Sequence, residues 1–329
     1  MKIQLSIGMA SNPRTWPILD GRVQPDGIDL IPSVVHPSEL FWRQLRFGDF
    51  DVSEMSFSSL MMTIARGDER WVGLPIFTTR EFFHTRILVR RDAGIERPQD
   101  LKGKRVGVPE YQMTAALWTR GVLQHEFGVE PREMQFWMER TPEHSHGGAT
   151  GFTPPPGVVV HQIPADEDIG TMLLAGKLDA TLRYIVDNNL VDRARADLRG
   201  HPEIHPLFDP IAEGTRYFRK TGILPINHGM VIKRELAQKY PWAILNLLKA
   251  FEQANAIANR ERLEHVEYHL ACGLLTPESR AALQTPLVQH GIRANRKTLE
   301  TAAQYSHEQG LTPRLMRLEE VFAASAMDQ

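Results

Sequence analysis

Cysteine is nearly absent from this sequence, whose 329 residues contain one, Cys272. A single cysteine excludes an internal disulfide and disfavours a metal site built from thiolates. Long apolar runs are absent too, because no segment approaches the roughly 18 apolar residues of a membrane span. The first residues, MKIQLSIGMA, alternate polar and apolar side chains and lack the unbroken apolar core of a secretory signal. We therefore expect a cytoplasmic protein.

Charge of one sign is not concentrated in any part of the chain. Lys and Arg together number 38, Asp and Glu 40, and the formal net charge is −2. Without a long block of like charges, nothing indicates a surface for nucleic acid or for a membrane. The expected partner is a small molecule, and the oligomeric state stays open.

Several catalytic signatures are also missing. The sequence contains no G-x-G-x-x-G, no P-loop and no G-x-S-x-G, so nucleotide chemistry and acyl-serine chemistry have no support. His144 and His146 offer at most half of a metal site, with no acidic third ligand evident, and a polar loop is the alternative. The sequence predicts no metal site, although a divalent metal stays open.

What the sequence does contain is an ordinary globular composition, 42% hydrophobic and 24% charged, in a chain long enough for two domains. Strand-like segments alternate with helical ones, and the chain becomes mostly helical after residue 240. This alternation predicts an α/β fold with parallel sheets and helices on both faces. Strands are expected within 3–7, 49–56, 86–91, 101–108, 176–185 and 222–233, and helices within 57–66, 110–127 and from 241 onward.

Two changes of pattern divide the chain into lobes. ILVRRDAGI leads from one strand–helix series into another, and GILPINHGMVI returns before the helical tail. We expect a first lobe made of 1–90 and 225–329 and a second lobe made of 91–224, with a ligand cleft between them. The Gly-, Pro- and His-rich stretch 141–157 is expected to be a surface excursion of the second lobe.

Three places where a strand runs into a helix carry hydroxyls or an arginine, which suits an anionic ligand. The alternative is that these residues are ordinary helix N-caps, where Ser and Thr are preferred for backbone reasons. The candidate positions are Ser11, Asn12 and Arg14, then Ser56, Ser58 and Ser59, then Glu110, Tyr111 and Thr114.

Two histidines are candidates for proton chemistry. His84 lies in TTREFFHTRILVRR between Arg80 and Arg86, and His228 lies in LPINHGMV. A histidine beside arginines can bind a carboxylate and move a proton near neutral pH. The alternative is that His84 is a hydrogen-bonded structural residue and that the arginines are solvated.

Several segments together resemble the 4,5-dihydroxyphthalate decarboxylase family. They span most of the chain from the first strand to about residue 250, and DLKGKRVGVPEYQMTAA is the most specific of them. The others are ILDGRVQPDGIDL, FDVSEMSFSSLMMTIARGD, GLPIFTTREFFHTRILVRRDAGIERPQ and RKTGILPINHGMVIKREL. The resemblance implies a two-lobe fold like that of type II periplasmic solute-binding proteins. It also implies non-oxidative decarboxylation of a hydroxylated aromatic acid without an organic cofactor.

The resemblance also implies roles for residues at the matching positions. Loss of CO₂ from an aromatic ring requires protonation of the carbon that bears the carboxylate, together with cations that orient the substrate. His84, His228 and Glu110 are the predicted catalytic residues, and which histidine donates the proton stays open. The predicted substrate-binding residues are Arg14, Ser56, Ser58, Arg80, Arg86, Tyr111, Thr114 and Arg183. The main alternative is a solute-binding protein or sensor that holds an aromatic carboxylate without catalysis.

Overall fold

The computed structural model describes residues 2–187, 189–277, 280, 283 and 289–329. The strands are β1 Ile3–Met9, β2 Ile28–Val34, β3 Val52–Ser56, β4 Trp71–Arg80, β5 Leu88–Arg90, β6 Arg105–Val108, β7 Gln135–Met138, β8 Val159–Gln162, β9 Ala180–Thr181, β10 Ile204–Pro206 and β11 Ile226–Lys233. They form one five-stranded and one six-stranded sheet. The predicted α/β class is therefore confirmed.

Helices cover both sheets. The α-helices with bounds inside the described residues are α1 Trp16–Leu19, α2 Pro37–Phe47, α3 Phe57–Ala65, α4 Thr114–Phe127, α5 His146–Thr150, α6 Ile169–Leu174, α7 Pro210–Thr221, α8 Arg234–Lys239, α9 Pro241–Ala271, α10 Arg296–Glu308 and α11 Leu318–Val321. Short 3₁₀ turns occupy Phe83–Arg86, Arg91–Ala93, Pro98–Leu101, Pro131–Glu133, Pro142–His144, Arg293–Asn295 and Ala324–Ala326. Among the helices of the described residues, none combines the length and apolar character that crossing a membrane requires.

The first sheet has the strand order β2-β1-β3-β11-β4. Strand β1 is parallel to β2 and β3, whereas β11 runs antiparallel between β3 and β4. The chain leaves this sheet at Arg80 and returns at Ile226, which is the partner of Arg80 in the register. The two crossings between the sheets therefore lie side by side.

The second sheet has the order β10-β5-β9-β6-β7-β8. Strands β9, β6, β7 and β8 are parallel, and β5 is antiparallel to both of its neighbours. Residues 88–90, which the sequence prediction assigned to the end of the first lobe, pair within this second sheet as β5.

One apolar cluster runs through both sheets. It joins Met55 and Phe57 of the first sheet region to Val106, Trp118 and Phe136 of the second. The Trp118 indole N–H also donates to the Ile226 carbonyl at 2.8 Å, directly at the returning crossing. A second cluster forms where α9 lays its buried face on the first sheet. The contact between the lobes is thus a packed core as well as a cleft.

Three local predictions were wrong. Helix α4 begins at Thr114, not at residue 110, and strand β4 was not predicted although its first eight residues are all buried. The stretch 141–157 is not a simple surface excursion, because it contains α5 with His146 and Gly147 buried. The helical tail predicted from residue 241 onward was correct in α9 to α11. Its part at 278–279, 281–282 and 284–288 lies outside the described residues.

Gly121 of α4 lies where this helix packs closely against Tyr305 of α10. A Cβ atom at this position would lie 2.0 Å from Cδ2 of Tyr305, well inside van der Waals contact. We expect Gly121→Ala to lower the free energy of unfolding by about 1–3 kcal/mol, because overpacking forces shifts in a close-packed core. Helix propensity alone predicts the opposite sign, a gain of about 1 kcal/mol.

Urea unfolding measures the change in the free energy of unfolding caused by Gly121→Ala. Gly229→Ala is the matched control, since the nearest atom to its added Cβ is 3.9 Å away. A Gly121→Ala protein more stable than the parent would contradict the packing described.

Candidate active site

A cavity of about 410 Å³ opens between the two sheets. Its walls come from the loop after β1, the ends of β3 and β4, the beginnings of α2, α4 and β11, and the loop after β9. The lining residues are Ala10, Ser11, Asn12, Arg14, His36, Pro37, Ser38, Phe41, Ser56, Thr79, Glu81, Met113, Thr114, Ala115, Arg140, His146, Arg183, Ile185, Asp187, Asn227 and His228.

Three helices begin at this cavity. Residues of the first turn of α2 and α4, and Ser56 directly before α3, are part of its wall. The first N–H groups of a helix have no partner within the helix, and the N-terminal end carries a partial positive charge. The cavity therefore favours an anion, as expected from the strand-to-helix junctions in the sequence.

A cluster of hydroxyls joins the two lobes at these helix starts. Ser56 Oγ lies 2.8 Å from Thr114 Oγ1, and the backbone N–H of Ser58 donates to Thr114 Oγ1 at 3.0 Å. The Ser58 hydroxyl donates to the Gln112 carbonyl at 2.6 Å. Ser56 and Thr114 line the cavity as predicted, whereas Ser58 is fully buried behind them and supports their positions.

Arg14 and Arg183 provide positive charge in the cavity wall. Arg14 donates through Nε and Nη2 to the Thr78 carbonyl at 3.1 and 2.8 Å, which fixes the plane of its guanidinium. Burial lowers the pKa of Arg14, and the nearby Glu54 carboxylate partly offsets this. Arg183 donates from Nη1 to Glu81 Oε2 at 3.2 Å across the two lobes. Both were predicted to bind substrate, and both reach the cavity.

His228 lies on β11 opposite Ser56 of β3 and Thr79 of β4. Its Nε2 atom is 2.8 Å from Asn227 Nδ2, and its ring meets the ring of Phe41 edge to face with centroids 4.6 Å apart. The imidazole is thus held beside an aromatic wall while remaining part of the cavity surface. Of the two predicted histidines, this one is in a position to meet a ligand.

His84 is not among the described residues that line the cavity. Its Nε2 atom is 3.1 Å from Glu213 Oε1, and the rings of Phe82, Phe208 and Tyr217 surround it. Burial raises the pKa of Glu213, but its bonds to Arg216 and His84 outweigh this and bring the pKa to about 2. The structure therefore does not bring His84 and His228 together at the cavity, because His84 packs against α7.

Arg80 and Arg86 also lie away from this cavity. Arg80 donates to the carbonyls of Leu224 and Gln289 at 3.4 and 2.9 Å and to the Asn295 side chain, so it fixes the crossing between the lobes. Burial lowers the pKa of Arg80 to about 10, which leaves it charged at neutral pH. Arg86 is half exposed and pairs with Glu81.

Glu110, predicted to be catalytic, is fully buried and is not among the described residues that line the cavity. It accepts a hydrogen bond from Arg140 Nη1 at 2.6 Å and bonds from the backbone N–H groups of His146 and Gly147 at 3.0 Å each. Burial raises the pKa of Glu110, but the interactions with His146, Arg140 and the Gly147 N–H lower it by more, so the net shift of the pKa is downward. The carboxylate is therefore committed to holding α5.

Tyr111 is also fully buried. The Arg120 guanidinium lies 3.7 Å from its ring centroid, and Phe152 stacks on the ring at 5.6 Å. Tyr111, predicted to contact the ligand, therefore lies in the apolar core and is not among the described residues that line the cavity.

Arg140 is the main residue that the sequence reasoning missed. It donates from Nε to Asp192 Oδ1 at 2.7 Å and from Nη2 to Ser38 Oγ at 2.6 Å, in addition to its pair with Glu110. His146 Nε2 is 2.9 Å from the Ser38 carbonyl, so both side chains tie α2 to the second lobe. A charged residue directly after strand β7 was the available signal.

His36 and Glu54 were missed as well. His36 accepts from the Ser38 N–H as the N-cap of α2, in the sequence HPSEL. Glu54 is a carboxylate in the middle of the buried strand β3. Within the described part of the chain, no group of three or more His, Cys, Asp or Glu side chains is placed to hold a metal ion.

The Glu110–Arg140 pair gives a prediction about acid stability. We expect Glu110→Gln to lower the free energy of unfolding at pH 7 by about 3 kcal/mol, because it removes the buried carboxylate that pairs with Arg140 and accepts from two backbone N–H groups. The folded-state pKa of Glu110 lies below the ordinary 4.5, so its contribution is present above that pH and is lost as the pH falls through the folded-state pKa. The difference in the free energy of unfolding between the parent and Glu110→Gln should therefore decrease below pH 4.5.

Thermal or urea unfolding between pH 7 and pH 3 measures this difference in the free energy of unfolding. Glu69→Gln, which changes an exposed carboxylate in the other lobe, is the control. A gap that widens on acidification would contradict the assignment.

Comparisons with known proteins place this geometry in context. Residues 68–141 match the family described as NMT1/THI5 like. Similar folds are the alkanesulfonate-binding protein SsuA from Xanthomonas axonopodis pv. citri (TM-score 0.57, 17% identity, 98% of this chain and 97% of that one) and the aliphatic sulphonate-binding protein SsuA from Escherichia coli (TM-score 0.56, 16% identity, 100% of both). The desulfurization enzyme DSZB is also similar (TM-score 0.53, 14% identity, 99% and 98%). The predicted two-lobe fold of type II periplasmic binding proteins is thereby confirmed.

Two relatives are similar in sequence. A 4,5-dihydroxyphthalate decarboxylase from Pseudomonas putida is 35% identical over 219 residues, which cover 66% of this chain and 82% of that protein. Another from Comamonas testosteroni is 30% identical over 332 residues, which cover 99% of this chain and 98% of that protein. With this identity along nearly the whole length of both proteins, the chain belongs to the 4,5-dihydroxyphthalate decarboxylase family.

Proposed function

We propose that the protein removes CO₂ from a hydroxylated aromatic acid of the phthalate or hydroxybenzoate type, in the cavity between its lobes. Membership of a decarboxylase family supports the reaction class. The observation that carries the proposal is the placement of His228 in a cavity wall that also contains Arg14 and Arg183. The cavity volume of about 410 Å³ suits a ligand with one aromatic ring.

The reaction needs one proton and no change of oxidation state. The His228 imidazolium gives its proton to the ring carbon that bears the carboxylate, with electrons supplied by a phenolic hydroxyl. The bond from that carbon to the carboxylate then breaks, its electron pair restores the aromatic ring, and CO₂ leaves. The neutral imidazole takes a proton from solvent, so the net change is replacement of the carboxylate by hydrogen.

The acid is oriented by the positive charge of Arg14 and Arg183 and by the N-terminal ends of the three helices. They act on the substrate as a whole and hold the ring against Phe41 and His228. A cation placed tightly on the departing carboxylate would stabilise the ground state as much as the transition state and would lower no barrier. The fixed Arg14 and the Glu81-paired Arg183 therefore suit a carboxylate that stays on the ring, or a phenolate.

A second candidate function is ligand binding without turnover. It is favoured by the structural neighbours that are described as sulfonate-binding proteins. CO₂ release separates the two functions, because a binding protein returns the acid unchanged.

His228→Asn tests the proton donor. We expect the folded variant to bind the acid and to lose about 10²-fold or more in kcat, the usual scale for a general acid. CO₂ release from 4,5-dihydroxyphthalate and a panel of hydroxybenzoates is the assay, with calorimetry for binding. His84→Asn is the matched control and should keep kcat, because His84 does not reach the cavity. Parent-level turnover by His228→Asn would remove His228 from the chemistry.

Arg183→Ala tests the orienting charge. We expect weaker binding of the acid by about 1.5–3 kcal/mol, the range for hydrogen bonds to charged groups. Arg86→Ala is the control, since Arg86 pairs with the same Glu81 outside the cavity. Equal affinity of both variants and the parent would exclude Arg183 from the site.

A further inference from the structure

Glu54 is an unusual residue for the centre of a sheet. It lies in β3, where all five residues are buried, and its side chain is 0% exposed. Neither carboxylate oxygen has a hydrogen-bond partner among the described residues. A buried carboxylate is costly unless charge or hydrogen bonds compensate it, so its position calls for a partner.

The partner is the imidazole of His228. Glu54 Oε2 lies 3.6 Å from His228 Nδ1, an ion-pair distance when the ring is protonated. Nδ1 is itself buried and has no hydrogen-bond partner in the described part of the chain. The register explains the contact, because His228 lies opposite Ser56, two residues along β3 from Glu54, and side chains two residues apart share a face of the sheet.

The other nitrogen of the ring is differently placed. Nε2 lies 2.8 Å from the amide nitrogen of Asn227, which is also part of the cavity wall. When that amide donates to Nε2, the proton of a neutral ring must be on Nδ1, the side that faces Glu54. Two further charged groups interact with the pair: Arg14 attracts Glu54, and His36, the N-cap of α2, interacts with His228.

We propose that Glu54 is a positioning residue that holds the Nδ1 proton of His228, leaving Nε2 as the nitrogen that exchanges a proton with the substrate. This rests on the proposed role of His228 as proton donor. In this step Nε2 loses its proton to the ring carbon, Nδ1 keeps its own, and the Asn227 amide N–H then donates to the neutral Nε2. When solvent restores the proton at Nε2, the Asn227 amide turns its oxygen towards that nitrogen. The carboxylate fixes the tautomer and the ring plane and stabilises the imidazolium, as an orienting group does for a catalytic base.

A double-mutant cycle tests whether Glu54 acts through His228. With 4,5-dihydroxyphthalate as the probe, we expect Glu54→Gln to lower kcat about 10- to 100-fold, the scale for loss of an orienting partner. KM should stay within about threefold, because Glu54 does not touch the ligand. In a His228→Asn background, Glu54→Gln should cost less than about twofold more, since effects of groups that act as a unit do not multiply. The exposed Glu69→Gln is the control in both backgrounds.

The cycle separates this proposal from the one it rests on. Losses that multiply in the double variant, or an unchanged kcat in Glu54→Gln, would overturn the role of Glu54 while leaving His228 in place. Parent-level turnover by His228→Asn would instead overturn the proton donor itself, and the positioning role with it.

A second measurement is made on the parent protein and does not require Glu54→Gln to fold. ¹⁵N NMR of histidine-labelled protein reports the tautomer of each of the 13 histidines, and the His228 signals are those missing from His228→Asn. We expect the neutral ring of His228 to carry its proton on Nδ1. A proton on Nε2 would overturn the proposal.

Discussion

The buried guanidinium of Arg140 is the interaction on which the geometry of the cleft depends. Its side chain is 1% exposed and sits between Glu110 and Asp192, each of which is equally buried. Burial lowers the pKa of Arg140, but Asp192 and Glu110 outweigh this and raise it above the ordinary value. Because Arg140 also donates to Ser38, the start of α2 in one lobe is tied to two loops of the other. Breaking the pairs would leave buried charge, so the two lobes hold each other in a defined position.

This arrangement separates charges that support the fold from charges that face the ligand. Arg140, which is buried in the cavity wall, pairs with Glu110 and Asp192, and Glu213 pairs with Arg216 and His84 away from the cavity. Arg14 and Arg183 place their guanidinium groups in the cavity wall. A ligand therefore meets fixed cations, helix starts and the imidazoles of His36, His146 and His228 in the cavity wall. This arrangement is preorganised for an anionic ring.

The sequence predicted the parts of this structure that depend on local pattern. Strand–helix alternation predicted β1, β3, β6, α3, α4 and β11, and the loops that follow strands indicated Arg14, Ser56 and Thr114, which line the cavity. His228, which also lines it, was indicated by its own segment and by the family resemblance. Strand β4 was missed because a continuous apolar run with Pro75 has no period of two, which is typical of a strand buried on both faces. The burial of Glu110 was not foreseen because its partner α5 follows 36 residues later, and that of Tyr111 because Arg120 of the next helix folds back over its ring.

The role of buried charges could not be read from the chain alone. Glu54 and His228 are 174 residues apart in sequence and meet because β11 returns between β3 and β4. His84 and His228 both follow apolar segments in the sequence. In the structure, however, His84 lies among aromatic rings and His228 lies in the cavity wall. Motif resemblance identified the family, whereas the sheet topology decides which of the candidate side chains share a cavity.

The central claim is that this cavity protonates an aromatic ring carbon and releases CO₂. The most direct measurement is to run the reaction with 4,5-dihydroxyphthalate in D₂O and to locate deuterium in the product by NMR and mass spectrometry. The account predicts one deuterium at the ring carbon that lost its carboxylate, with one CO₂ released for each product molecule. Product without deuterium at that carbon, or acid recovered intact after incubation with folded protein that binds it, would contradict the account.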